Sequence, residues 1–527
     1  MLGEKLLLLA QQFAKNGILN WVVSPGSRNA PIVAALIKEG SFKLYSSPDE
    51  RSAAFTAMGM AISTQQPAAF LCTSGSALSN AFPAVLESYY SRIPLVIVSA
   101  DRPEELIDQW EGQTIRQVNF FGDYARSFVH MNARMDDKDI VTDKIIKSIN
   151  KSYNPIGGPV HINIALSEPI YEGLKSNSFQ SIKNRTESTQ PKNDNLSKSF
   201  KFPFEINSNT KVALIIGQGL RNTGILKHLA ALSSSIPVFT DVTSGYAEIG
   251  LSNWDWALLK RNIPENLKPD LIITMGMGII SKPLKLELRK WKPKHIHISK
   301  IAETANPFET NPIQLICDEV KYLQKLNDKL STELSKDYLD KWKSFIDTQA
   351  LSPKDLPLPY NLELELVQQL IQSSNEKHHL HFGNSMSVRY ASWSKKSDTR
   401  IFSNRGVSGI DGCVSSALGD ALSNPKKMII AIVGDITTLY DSNAFWGKWP
   451  HNFHLVILNN KGGAIFDWIE GPNNLKELRS FIHTPHDKPL KHLAELHTKS
   501  FKTFNLKVDK VTLDEIIQSQ VSEIITQ

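Results

Sequence analysis

Residues 428–463 read MIIAIVGDITTLYDSNAFWGKWPHNFHLVILNNKGG, and the rest of the chain can be organised around them. The apolar run MIIAIV delivers Gly434 and Asp435 to its end, and LVIL delivers Asn459 and Asn460. Two buried parallel strands would thus set a carboxylate and an amide side by side. Such a pair suits a hard divalent cation. Mg²⁺ takes oxygen ligands in octahedral geometry, so Asp435, an Asn oxygen and a backbone carbonyl near Gly462 would leave room for a diphosphate. GD or NNxGG alone is also an ordinary strand-end turn. Their succession in this order is what points to a metal and phosphate site.

Outward from this stretch, 527 residues predict about three domains at ~150 residues each. Three widely spaced cysteines, Cys72, Cys317 and Cys413, without a CxxC, argue against a disulfide framework or a zinc site and fit a reducing cytoplasm. The start, MLGEKLLLLAQQFAKNG, carries Glu4 before its apolar run and reads as an amphipathic helix, not a signal peptide. No apolar run approaches the ~20 residues of a membrane span. The net charge of +6 comes from scattered lysines with no dense basic block, which speaks against nucleic acid as a partner.

Residues 1–172 alternate helix and strand patterns as a parallel α/β domain does. ILNWVVSPGSRNAPI is a strand entering a Pro-Gly turn, with Ser27 and Arg28 at the edge where open α/β sheets bind ligands. A second strand leads to a helix opened by Asp49 or Glu50, and a Ser/Gly-rich turn at Thr73–Ser76 precedes another. Arg28, Glu50 and Arg102 also admit a plain reading as caps or surface pairs. Residues 173–203 are polar and turn-rich, a linker. A second α/β unit spans 204–330, where Gly217-x-Gly219 is an imperfect dinucleotide loop and Lys282 is either a solvated helix-start lysine or an anion ligand. Residues 331–360 form a helical and Pro-rich connection, and a third α/β domain covers 361–527. The histidines at 378, 379, 381, 483, 486, 492 and 497 show no zinc spacing and read as surface and rim residues.

Three such α/β domains, with an acidic helix start in the first and GD followed by NN in the third, resemble the thiamine-diphosphate enzymes. SPGSRNAPI (24–32), DERSAAF (49–55), CTSGSALSNAFPAVLES (72–88), SADRPEEL (99–106), GQTIRQ (112–117), GNSMSVR (383–389), SNRGVSGIDG (403–412) and NNKGGAIF (459–466) are more specific. In this order they resemble the 2-succinyl-5-enolpyruvyl-6-hydroxy-3-cyclohexene-1-carboxylate synthases of menaquinone biosynthesis. The likeness is thin in the linkers and the middle domain. Ile436 stands where a glycine is commoner, and Glu111 where a small or amide residue is. The chain closes on VSEIITQ, where the family usually completes a last strand and a short tail, so a truncated or abbreviated end is expected.

The resemblance implies pyrimidine, central and diphosphate domains, and a reaction in which 2-oxoglutarate loses CO₂ and the succinyl carbanion equivalent adds to isochorismate. It implies Glu50 as the carboxylate beside the pyrimidine N1′, raised by an apolar wall for which the AAF after Arg51 is a candidate. Ile410 would fold the cofactor into a V, with Gly434, Asp435, Ile436, Asn460 and Ile465 also at the cofactor. Asp435, Asn460 and the Gly462 carbonyl would hold Mg²⁺ or Mn²⁺. Arg28, Arg389 and Arg405 would grip substrate carboxylates with Ser27, Gln113 and Lys282, Arg28 and Gln113 also serving catalysis. Ile465 and Phe466 would supply the apolar wall. A homodimer or dimer of dimers is implied, with Glu50 and Asp435 of one site on different chains. The rivals are another 2-oxo acid decarboxylase or carboligase of acetolactate-synthase type, and a non-catalytic module on the same fold.

Overall fold

The structure is a computed structural model, which describes residues 2–170, 201–219, 221–259, 263–330, 336–349, 352–394, 398–467, 477 and 479–526. The linker expected at 173–203 lies almost wholly outside the described residues. Three parallel sheets organise the chain, and the described part divides into two compact units. The first comprises residues 1–193, 404–429 and 437–453, and the second 194–403, 430–436 and 454–527. Among the described residues no helix is long and apolar enough to cross a membrane.

The first unit holds strands β1 (Asn20–Val23), β2 (Lys43–Ser46), β3 (Ala68–Cys72), β4 (Leu95–Asp101), β5 (Ser127–Asn132) and β6 (Val160–Ala165), in the order β2-β1-β3-β4-β6-β5. The central strands are apolar along their whole length because helices cover both faces of a parallel sheet. Leu6, Leu9, Ala10 and Phe13 of helix Leu2–Lys15 pack on Trp21 and Ile32, so the opening leucines form a core stripe, as their spacing predicts.

Helix Glu50–Thr64 is buried around almost its entire circumference. Helix Cys413–Ser423 explains why. A Cβ on Gly59 would stand 1.9 Å from the Ser416 carbonyl oxygen, and one on Gly419 2.0 Å from that of Thr56, so two glycines let the backbones touch. The middle of the 428–463 stretch clasps the start of this helix. Asn443 donates to Asp49 at 2.9 Å, the Arg51 guanidinium donates to the Tyr440 carbonyl at 2.6 Å and lies over the Tyr440 ring, and Asp441 accepts from Ser52. Asp441 also takes the Ser415 N–H at 2.7 Å, a charged cap on helix Cys413–Ser423. Burial pushes Asp441 up to about 6.

The second unit holds β7 (Val212–Ile216), β8 (Val238–Thr240), β9 (Leu271–Met275), β10 (Lys294–Ser299) and β11 (Ile313–Ile316), ordered β11-β10-β9-β7-β8. Gly217 answers to packing: a Cβ there would lie 2.0 Å from the Met277 carbonyl oxygen. Helix Asp337–Thr348, expected in a connection, sends Leu339 and Trp342 into the core with Phe239 and Trp254. The third sheet has β12 (His378–Phe382), β13 (Arg400–Phe402), β14 (Met428–Gly434), β15 (Phe453–Asn459), β16 (Phe501–Asn505) and β17 (Val521–Ile525), ordered β13-β12-β14-β15-β17-β16. Residues 521–525 form a strand between β15 and β16.

The histidine reading also needs correction. His379 and His381 are buried on β12, where both rings pack against Phe402. His483 is buried against Gly462, because the strand and the glycine turn bring apolar and backbone surface to these rings.

Candidate active site

Two neighbouring strand ends of the third sheet build one group of candidate residues. Gly434 ends β14, and a Cβ there would meet no atom within 4 Å, so the backbone opens onto space. Asp435 follows, 1% exposed. Its Oδ1 accepts the Ile436 N–H at 2.7 Å and its Oδ2 the Gly462 N–H at 3.0 Å, with His486 Nε2 3.3 Å away. Burial raises the Asp435 pKa, opposed by the Ile436 N–H, His486 and the Gly462 N–H. The turn after β15 therefore presents the Gly462 N–H to Asp435. The expected ligand atom, its carbonyl oxygen, accepts from Ala464 N at 3.1 Å.

Gly462 has a φ of 151° and a Cβ there would stand 2.5 Å from the His483 ring, so the turn requires glycine. Asn460 is buried, and its Nδ2 donates to Glu363 Oε1 at 3.1 Å, with the amide oxygen as the acceptor end of the side chain. Glu363, fully buried, also receives Tyr390 at 2.8 Å and Thr526 at 3.0 Å. Burial raises its pKa; those hydrogen bonds oppose the shift and the Asp435 charge adds to it. Two buried carboxylates that disfavour each other's charge, beside amide and carbonyl oxygens, form a donor set that could hold a hard cation. Ile465 and Phe466 follow in the turn Ala464–Asp467, both half-buried.

The first unit, taken by itself, holds another group of candidate residues. Asp49 caps helix Glu50–Thr64 through the Arg51 N–H, which leaves Glu50 in the first turn, half-buried, with Asn80 Nδ2 donating to its Oε2 at 3.1 Å. Burial, with the Glu50 charge added, pushes the Cys72 thiol up. Ala53, Ala54 and Phe55 are buried as expected, and Phe55 lies directly under Gly412. The turn 24–28 presses on the turn at 73–76: a Cβ on Gly26 would be 2.3 Å from that of Thr73. Arg28 is buried, donating to the Leu166 carbonyl at 2.8 Å and pairing with Glu168 at 3.0 Å, while Ser27 is exposed. Gln113 is exposed with a φ of 58° and backs onto Gly75. Arg102 donates to the Gly112 carbonyl at 3.1 Å, which ties this loop to the end of β4.

Arg405 and Ile410 share the loop between β13 and helix Cys413–Ser423, both half-buried. Arg389 lies on helix Met386–Ser392 and donates to the Ser385 carbonyl at 2.9 Å. Lys282 is exposed at the first position of a helix capped by Ser281. Sequence reasoning missed Glu87, Gln117, Glu363 and Asp441. Gln117 is fully buried and accepts the Gly75 N–H at 2.9 Å while donating to Asn163 and the Ala100 carbonyl. Gln117 lay inside the quoted GQTIRQ, and Asp441 inside the opening stretch, so motif membership was the available signal.

Residues 7–120 match the family described as thiamine pyrophosphate enzyme, N-terminal TPP binding domain. The 2-succinyl-5-enolpyruvyl-6-hydroxy-3-cyclohexene-1-carboxylate synthase of Flavobacterium johnsoniae is 35% identical over 500 residues, spanning 92% of this chain and 88% of that protein. The enzyme of the same name from Cytophaga hutchinsonii is 34% identical over 506 residues, with 92% and 88% covered. That from Bacteroides fragilis is 32% identical over 539 residues, with 99% and 94% covered. On this similarity, extending across almost the whole chain, the protein belongs to the 2-succinyl-5-enolpyruvyl-6-hydroxy-3-cyclohexene-1-carboxylate synthases, thiamine-diphosphate-dependent carbon–carbon bond-forming enzymes of menaquinone biosynthesis.

Proposed function

We propose that the chain decarboxylates 2-oxoglutarate and joins the resulting four-carbon unit to isochorismate, as a cytoplasmic homodimer or dimer of dimers. The observation that carries the site assignment is the meeting of Asp435 with the Gly462 turn at the end of β14, beside the Asn460–Glu363 pair. Residues 361–527 would bind the diphosphate end of the cofactor and 1–172 the pyrimidine end. Asp435, Asn460 and the Gly462 carbonyl would hold Mg²⁺ or Mn²⁺. The fit rests on the donor chemistry: hard oxygens, and buried negative charge that a divalent cation offsets.

Thiamine diphosphate, when bound, supplies an electron sink for the charge released on decarboxylation. The remaining work falls to side chains. Asn80 engages Glu50 Oε2, which leaves Oε1 as the oxygen to share a proton with the pyrimidine N1′. Ile410 would supply an aliphatic surface for the cofactor to rest against. Arg28, Arg389 and Arg405 orient substrate carboxylates with Ser27 and Gln113, and Lys282 contributes charge at longer range. The Arg28–Glu168 pair sets the guanidinium plane before substrate arrives. Ile465 and Phe466 exclude water from the reacting carbon.

The test is direct. Purified protein with thiamine diphosphate, Mg²⁺, 2-oxoglutarate and isochorismate should release CO₂ and consume the isochorismate absorbance. Turnover of pyruvate, with none of this pair, would overturn the substrate assignment.

A further inference from the structure

Glu87 sits in helix Phe82–Ser91 and is 1% exposed, yet no step above uses it. Its two carboxylate oxygens go to one loop. Oε1 accepts the Gly406 N–H at 2.7 Å and Oε2 the Val407 N–H at 2.8 Å, while Ser91 donates to Oε1 at 2.6 Å. Ser408 takes a φ of 62°, and its N–H also helps to hold the charge, so successive backbone donors converge on one anion. Residue 406 must be small: a Cβ on Gly406 would stand 2.6 Å from the Glu87 carbonyl oxygen and 3.0 Å from Glu87 Oε1. The base of the loop is closed separately, by Asn404 Nδ2 donating to Ser416 at 3.1 Å and to the Gly412 carbonyl at 3.4 Å.

From this geometry we infer that Glu87 is a positioning residue, clamping the loop that carries Arg405 and Ile410 so that the substrate-facing guanidinium and the cofactor-facing aliphatic side chain are presented together. The inference rests on the roles given to Arg405 and Ile410 above. Ordering 405–410 beforehand removes an entropy cost that each ligand would otherwise meet on binding. A buried charge is a costly way to order a loop, and it suits a loop whose backbone, rather than its side chains, must be fixed.

Two variants attack the clamp from opposite sides: Glu87→Gln removes the anion and keeps the volume, and Gly406→Ala pushes the loop off an intact Glu87. In the protein without ligands, amide hydrogen exchange at Gly406 and Val407 should speed up about tenfold or more in both, while exchange in β3 and β4 stays unchanged. Calorimetry with Mg²⁺ should show thiamine diphosphate binding weakened about tenfold, and KM should rise more than kcat falls, because positioning rather than proton transfer is lost. Unchanged exchange at 406 and 407, or faster exchange with cofactor affinity and KM at wild type, overturns the inference. Arg405→Ala and Ile410→Ala, with the clamp intact, locate any failure. If they too leave KM and affinity unmoved, the residue roles fall and the inference with them; if they act while the clamp variants do not, the positioning alone is wrong.

Discussion

Glu87 in the first unit and Asp435 in the second are both buried carboxylates raised by desolvation, yet their surroundings answer that burial differently. Glu87 is met by a hydroxyl and by successive backbone N–H groups, so the chain itself completes its coordination. Asp435 has N–H donors too, but Glu363, a second buried carboxylate, stands close enough for each to disfavour the other's charge. The contrast shows two uses for a buried anion. One orders a loop and is finished when the chain has folded. The other stores unfavourable charge where a cation is proposed to bind.

Asp435→Ala should break the contrast most completely, abolishing Mg²⁺-dependent thiamine diphosphate binding in calorimetry while the fold persists; retained metal dependence would remove Asp435 from the metal site. Glu50→Gln comes next. Turnover should fall by about 10²–10⁴ with metal-dependent cofactor binding intact, since a proton-sharing group is lost and little volume changes. Near-normal rates would refute its role.

Glu363→Gln sharpens the comparison at lower cost. It removes one of the two opposed charges behind Asn460, and metal affinity in a titration should drop about 10–100-fold, the range for residues that orient a ligand. Gly462→Ala should cost about 1–3 kcal/mol of stability in thermal melts, from the strained φ and the His483 contact.

The smallest effect concerns Asp441, pushed up to about 6 by burial. Its folded pKa exceeds the unfolded value of about 3.9, so the folded state keeps a proton that the unfolded chain has released. Stability from this group is therefore lost as pH rises from about 4 through about 6, and the loss persists above that window. Asp441→Asn should remove this slope. The stability difference between variant and wild type should change with pH across the window, and a flat difference in denaturant titrations would count against the assignment.

Much of the candidate site was legible because its signals are local. Asp435 and Asn460 terminate apolar runs, Asp49 and Glu50 open a helix after a Ser-Pro turn, and Gly462 stands where only glycine fits. Glu363 and Glu87 were illegible for the opposite reason. Each is an acidic residue in a helical pattern, which reads as a solvated position, and each finds a partner far along the chain, Asn460 97 residues from Glu363, and Gly406 and Val407 319 and 320 residues from Glu87. The buried histidines on β12 misled for a related reason, since a polar residue in a central strand gives no sign of the ring that will cover it.

Local chemistry by itself determined three parallel α/β sheets, the strand-end carboxylate and amide, and the acidic helix start, because apolar periodicity and turn residues act within a few positions of one another. Tertiary structure alone decided that Glu87 reaches across to 406–407, that Glu363 stands behind Asn460, and that Tyr440–Asn443 clasps the helix bearing Glu50. Those contacts depend on desolvation and backbone approach, which exist only after distant segments have packed.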